Sequence, residues 1–274
     1  MSCMATAPAA QAPAASWRDR LIEPVTAPTT FESPVIDTQV RPIFIRHEIP
    51  SDAATGKGRA TVIAVQARVA VTEDLAIIAV KDGWIDLRTQ AFPDDTGYAD
   101  VAAGVKYSFF KDAQAGTLVT GGLVYETDMG NGEVFQGNGD GVIRPFVSAG
   151  HAMGKFNFLG ELAYNWVLDD KNESTSYDWH LHCSYDWMKC VVPLVEINGI
   201  EWTDGGEGLA IDDEGGDLIN LGSQNVDGSV VSGAIGARFP YSANLSFGLG
   251  YEWPLSTRGD LLDERITFDA VWSF

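Results

Sequence analysis

Long apolar runs are missing from this chain. None of its 274 residues belongs to a stretch of 18 or more consecutive apolar side chains, which excludes a transmembrane helix. A membrane-crossing β-barrel is left open, because alternating strands keep the mean hydropathy near zero, here −0.03. Positive charge is scarce too. Lys and Arg number 18 against 38 Asp and Glu, a net charge of −20. Phosphates would be repelled, so no nucleic-acid partner is expected. There are only three cysteines, Cys3, Cys183 and Cys190. A hairpin turning at Met188-Lys189 sets Cys190 opposite Trp187 and Cys183 opposite Leu194, out of register for a cross-strand disulfide, so free thiols are expected. Catalytic signatures are absent as well: no nucleophile elbow, HExxH, phosphate loop or CxxC pair occurs. Gly137-Asn-Gly-Asp-Gly141 is a turn-rich loop with no helix after it. His182 and Ser184 are close in sequence, but no strand offers a lipid-facing nucleophile with its base. The chain does not read as an enzyme.

What is present is period-two alternation. Ile266, Phe268, Ala270, Trp272 and Phe274 share one face of the last segment, with Arg265, Thr267, Asp269 and Ser273 on the other. A long aromatic edge strand would recruit other chains unless it is paired. The ending resembles the C-terminal strand of outer-membrane barrels, which pairs with the first strand. Further strands are expected at 38–48, 59–70, 75–87, 98–109, 117–127, 142–150, 156–168, 174–187, 191–202, 229–239 and 243–253. Most are near the nine to eleven residues that cross a bilayer at a tilt. Longer and shorter connections alternate, and the acidic clusters Asp94-Asp95, Asp169-Asp170, Asp204–Glu207 and Asp212–Asp217 fall between strands. The expectation is an all-β, antiparallel up-and-down transmembrane β-barrel of about 12 strands, with short periplasmic turns and longer acidic extracellular loops.

The barrel is expected over residues 37–274. Residues 1–36 read as an Ala/Pro-rich tail and a periplasmic N-terminal segment that packs across one mouth. The start lacks the basic and apolar regions of an export signal, yet Ala10-Gln-Ala12 resembles a cleavage region. An omitted upstream signal and a disordered tail both fit. Ser16-Trp-Arg-Asp19 has a capping-box pattern leading into a short helical turn that Pro24 ends. Pro24, Pro28 and Pro34 keep the chain irregular from there to the first strand.

Positions opposite the apolar set would line a lumen or solute pathway. They are Gln66, Arg68, Asp100, Lys106, Arg144, Glu161, Asp178, His180, His182, Asp186, Glu196, Arg238, Glu252, Arg265 and Asp269, with Asn157, Asn165 and Asn198. Arg68, Lys106, Arg144 and Arg238 are expected to face acidic partners. Mixed charge suits either a rigid cross-lumen network or a polar pathway for small solutes. No cofactor or metal is expected. His180 and His182 are weak candidates for a transition metal, and the acidic loops, with Asn138-Gly-Asp140 and Asp212-Asp213-Glu214, for a divalent cation.

Gly97–Tyr107, Phe135–Asp140, Pro193–Asn198 and the C-terminal strand resemble the outer-membrane family grouped under the MetA pathway of phenol degradation. That resemblance implies passage of small aromatic or hydrophobic compounds and supplies no catalytic residues. The expected role is therefore an outer-membrane channel or transporter for passive or facilitated uptake of small molecules. Its partners would be outer-membrane lipid, the solute, and the barrel-assembly machinery through the C-terminal strand. The alternative is a closed structural or adhesive barrel acting through its acidic loops.

Overall fold

A computed structural model of the chain describes residues 20–274. Cys3, the Ala10-Gln-Ala12 motif and the Ser16–Asp19 capping pattern lie outside them. The strands are β1 (Gln39–Ile49), β2 (Gly58–Ala70), β3 (Leu75–Lys81), β4 (Trp84–Thr89), β5 (Asp95–Tyr98), β6 (Ala102–Asp112) and β7 (Thr117–Glu126). They continue with β8 (Val142–Met153), β9 (Phe156–Val167), β10 (Thr175–Tyr185), β11 (Val192–Asp204), β12 (Gly228–Pro240), β13 (Leu245–Pro254) and β14 (Glu264–Ser273). All the pairings between them are antiparallel. β14 closes on β1, from Gln39 opposite Ser273 to Glu48 opposite Glu264, so the terminal aromatic strand has no free edge.

Fourteen segments make twelve barrel strands, because two are broken. The stretch expected as 75–87 is split into β3 and β4, which pair with different parts of β2: Ala67–Ala70 and Gly58–Ile63 respectively. The break is built by Asp82, whose carboxylate accepts the Val65 N–H at 2.8 Å, and by Gly83 at φ +126°. A Cβ on Gly83 would stand 2.6 Å from the Ile63 carbonyl oxygen. β5 and β6 are likewise one wall strand, interrupted at Ala99–Val101. Thr38 and Phe274, joined by a backbone hydrogen bond of 2.9 Å, lie at the end that carries the short turns, and the long connections gather at the other.

The outer surface is an apolar belt. Ile77, Val105, Leu123, Val147, Leu162, Leu181, Ile235 and Phe268 are exposed along it. Aromatics ring both rims, with Trp84 edge-on to Tyr98 at 4.7 Å toward the loops and Trp272 stacked on Phe274 at 5.2 Å toward the turns. Water would not tolerate a belt of that extent, whereas lipid requires it. Cys183 sits on this outer face as a free thiol. Cys190, expected free, is disulfide-bonded instead. The strand register excludes only its pairing with Cys183.

Candidate functional site: the occupied lumen

The lumen is full. Residues 20–38 do not lie across a mouth; they thread inside the barrel and touch most of its wall. Pro-interrupted backbone cannot pair as a strand, so its polar groups need side-chain partners, and the wall supplies them. Glu196 accepts the N–H of Val25 at 2.9 Å and of Thr26 at 2.8 Å. Arg41 donates to the Pro24 carbonyl at 2.8 Å, Gln66 to Pro28 at 2.6 Å and Thr120 to Pro34 at 2.7 Å. Arg144 donates to the Thr30 carbonyl. Phe31 is the apolar anchor. It is 1% exposed, lies in a cluster with Leu21, Ala27, Leu118 and Leu159, and stacks on His180 with ring centroids 5.0 Å apart.

Charge joins the same parts. Arg68 meets Glu23, Glu32 and Asp37 at 2.9, 2.7 and 2.7 Å. Lys106 is fully buried and meets Glu32 at 2.6 Å. Arg144 pairs with Glu161 at 2.7 Å and approaches Asp178 at 3.5 Å. Arg41 and Arg238 share Asp269, at 2.6 and 2.9 Å. Arg265 pairs with Asp217 at 2.7 Å and lies 3.6 Å from Glu252.

Toward the loop end the interior turns apolar. Ile43, Ile45, Val62, Ile85 and Leu87 point inward and pack on Leu218, Ile219 and Leu221 of the connection between β11 and β12. That acidic connection folds into the barrel. Glu214 is buried there, accepting from Ser174 Oγ at 2.7 Å and from the Leu221 and Ser223 N–H groups at 2.8 Å each. Gly222 at φ +58° lies against the Asn172 carbonyl, leaving no room for a Cβ. Asp100 accepts the N–H of Gly130 at 2.8 Å and of Gly137 at 3.0 Å, pinning the connection between β7 and β8. Between the threaded segment and the inward loop remains a cavity of about 40 Å³, lined by His47, His180, Glu252 and Arg265 among others. A vestibule of about 470 Å³ opens at the turn end beside Glu23 and Asp37.

Of the eighteen residues expected on the lumen face, seventeen point inward; Gln66 and Asn165 are half-buried and the rest are buried. Asp186 does not. It follows the end of β10, is exposed, and its N–H bonds the Lys155 carbonyl, because the strand stops at Tyr185. His180 and His182 are held as hydrogen-bonding groups, His180 to Asn198 at 2.9 Å and His182 to Glu196 at 2.7 Å. Among the described residues no group of three or more His, Cys, Asp or Glu is arranged to hold a metal. Sequence reasoning passed over Arg41, His47 and Asp217, and the ligands Glu23, Glu32 and Asp37. For Arg41 and His47 a signal existed: they alternate with Val40, Pro42, Phe44 and Arg46, but Ile43 and Ile45 between them disguised the inward face.

No protein-family model matches the chain, and no curated protein matches it in sequence. The likeness to the phenol-degradation family therefore rests on the quoted segments alone. Among solved structures, the chain is similar to the COG4313 outer membrane channel from Pseudomonas putida F1. The two are 13% identical, the match covers 92% of this chain and 100% of that one, and the TM-score is 0.64. It is also similar to the NanC porin, at 11% identity, 86% and 98% coverage and a TM-score of 0.54. Identity this low speaks for architecture alone, and the architecture is that of outer-membrane β-barrel channels and porins.

Proposed function

We propose that the protein is an outer-membrane channel for small solutes, held here in a closed conformation. Its turn end faces the periplasm and its acidic loops face outward. The observation that carries this reading is the composition of the blockage. The barrel wall itself leaves a lumen lined with ionisable groups, and what fills that lumen is a tethered, non-barrel segment plus one infolded loop. Neither belongs to the hydrogen-bonded cylinder, so both can move without breaking it. The resemblance to the phenol-degradation family adds aromatic or hydrophobic compounds as the implied solutes. The exposed, aromatic-ended β14 is the strand that the assembly machinery would engage.

A second reading, a closed structural or adhesive barrel, is favoured by how little cavity remains. Planar-bilayer recording separates the two. The full chain should give rare discrete openings, and Phe31→Ala, which removes the anchor of the segment, should make them frequent. A flat baseline from both proteins, with both shown folded by heat-modifiable gel migration, would leave the structural barrel standing.

A further inference from the structure

The basic groups of the lumen are not distributed like its acids. The chain carries 18 Lys and Arg in all, yet Arg238, Arg41, Arg68 and Lys106 stand on β12, β1, β2 and β6, along one side of the barrel in its turn-end half. Gln39 lies opposite Arg68 in the β1–β2 register, and Ala76 of β3 is what faces Lys106 in the next pairing. Only one wall carboxylate, Asp269, pairs with any of these four. Among the described residues, every carboxylate on Arg68 and Lys106 comes from the threaded segment: Glu23, Glu32 and Asp37. Arg41 and Arg238 spend further donors on the segment's carbonyls at Glu23 and Pro24. Four cations less one carboxylate leave three positive charges on this wall when the segment is out. Arg144 and Arg265 differ, since they keep acidic partners on the wall or a loop.

We propose that Arg68 and Lys106, flanked by Arg41 and Arg238, form a binding site for small organic anions carrying two or more carboxylates, and that the threaded segment occupies it as an internal stand-in for such a solute. The inference rests on the channel reading above and names its solute class. The geometry of the stand-in describes the ligand. One guanidinium gathers three carboxylates, and the middle one, Glu32, bridges to an ammonium, so two carboxylates joined by a short linker satisfy both cations at once. Arg68 Nε, buried and without an acceptor among the described residues, is a donor still to be used. A net negative protein that admits anions needs such a local reversal of field, and a low-dielectric wall concentrates it. The exchange is also balanced: incoming carboxylates replace outgoing ones, so Arg68 and Lys106 are never left bare inside the barrel.

The test uses the full chain with Glu23→Gln, Glu32→Gln and Asp37→Asn combined, recorded in a planar bilayer under a KCl gradient. Expected are openings with a chloride-to-potassium permeability ratio above one, and their block by added citrate but not by spermidine. Adding Arg68→Gln and Lys106→Gln should bring the ratio to one or below and abolish the block. A second readout needs no current: citrate should raise the temperature at which the folded band of the triple variant is lost on a gel, and should not do so for the fivefold variant. Should the triple variant fold poorly, Glu32→Gln alone removes the bridging carboxylate. Openings that favour potassium, or no citrate effect on either block or melting, overturn the anion site. Citrate stabilisation without any conductance would instead sink the channel reading and leave the site intact.

Discussion

Replacing Arg68 by Met tests whether the threaded segment is a separable part. The substitution keeps most of the stem and removes the guanidinium that holds three carboxylates. Glu32 retains Lys106 at 2.6 Å, so the groups left without a cation are Glu23 and Asp37, whose side chains are 11% and 27% exposed. Truncating one partner of a buried pair costs roughly 3–5 kcal/mol. Both stranded carboxylates border the turn-end vestibule, where water relieves part of the loss, so the low end, about 3 kcal/mol, applies. At 1.4 kcal/mol per factor of ten this shifts the in-versus-out equilibrium of the segment by roughly two decades. Amide exchange reads it directly. The Val25 and Thr26 N–H groups are held by Glu196, a contact the mutation does not touch, and should exchange about a hundredfold faster, while the strand amides of β9 to β13 keep their protection. If Val25 and Thr26 exchange as slowly as before and the barrel melts at lower temperature instead, the segment is an inseparable part of the core and the gating argument fails.

Phe31→Ala should release the same segment by removing an aromatic packed to 1% exposure; roughly 3–5 kcal/mol is the usual cost of that truncation, read as the same gain in Val25 and Thr26 exchange. On the outside, Ile235→Arg places a charge near the middle of β12 on the exposed belt. It should destabilise the barrel by about 2–4 kcal/mol in urea titrations from phospholipid vesicles; a change within about 0.5 kcal/mol would mean that this face does not meet lipid. The loop end should respond to pH through Glu173, whose carboxyl is pushed up to about 8 by burial and by the Glu126 carboxylate, with Lys81 opposing. A raised carboxyl favours the packed loop while protonated, so that contribution is complete below about 4.5 and is lost as pH rises through about 8. Trypsin cleavage at Lys171 should accelerate across that window relative to a reference substrate, and Glu173→Gln should flatten the response.

The barrel was legible because its signal is redundant: alternation marks each strand, and connection lengths mark the series. The break at Asp82-Gly83 was not, since Asp and Gly there continue a plausible period while shifting the register against β2. The threaded segment left no periodic trace at all. Residues 23–37 hold three prolines and three scattered carboxylates, and the lumen cations that hold the segment are 16 to 215 residues away along the chain. The inward loop did carry a hint, the apolar trio Leu218, Ile219 and Leu221 in an otherwise acidic connection. A loop bathed only in water has no use for those side chains together. Cys190 misled because register arguments test one pairing and say nothing of others.

The contacts that close the lumen differ in what could replace them. Carboxylates on Arg68 and Lys106, carbonyls on Arg41, Gln66 and Arg238, and amides on Glu196 are all polar exchanges that water or an entering anion can reproduce, so each contributes modestly to holding the segment. Phe31, Val25 and Leu21 are not exchangeable, because their burial is lost outright when the segment leaves the wall. On the proposed channel reading, the balance between closed and open states is therefore set by a few apolar side chains, whereas the polar contacts decide which solute lowers the barrier to leaving. A solute lacking carboxylates must strip Arg68 and Lys106 without compensation. One that carries them does not, and selectivity then arises in the same step as opening.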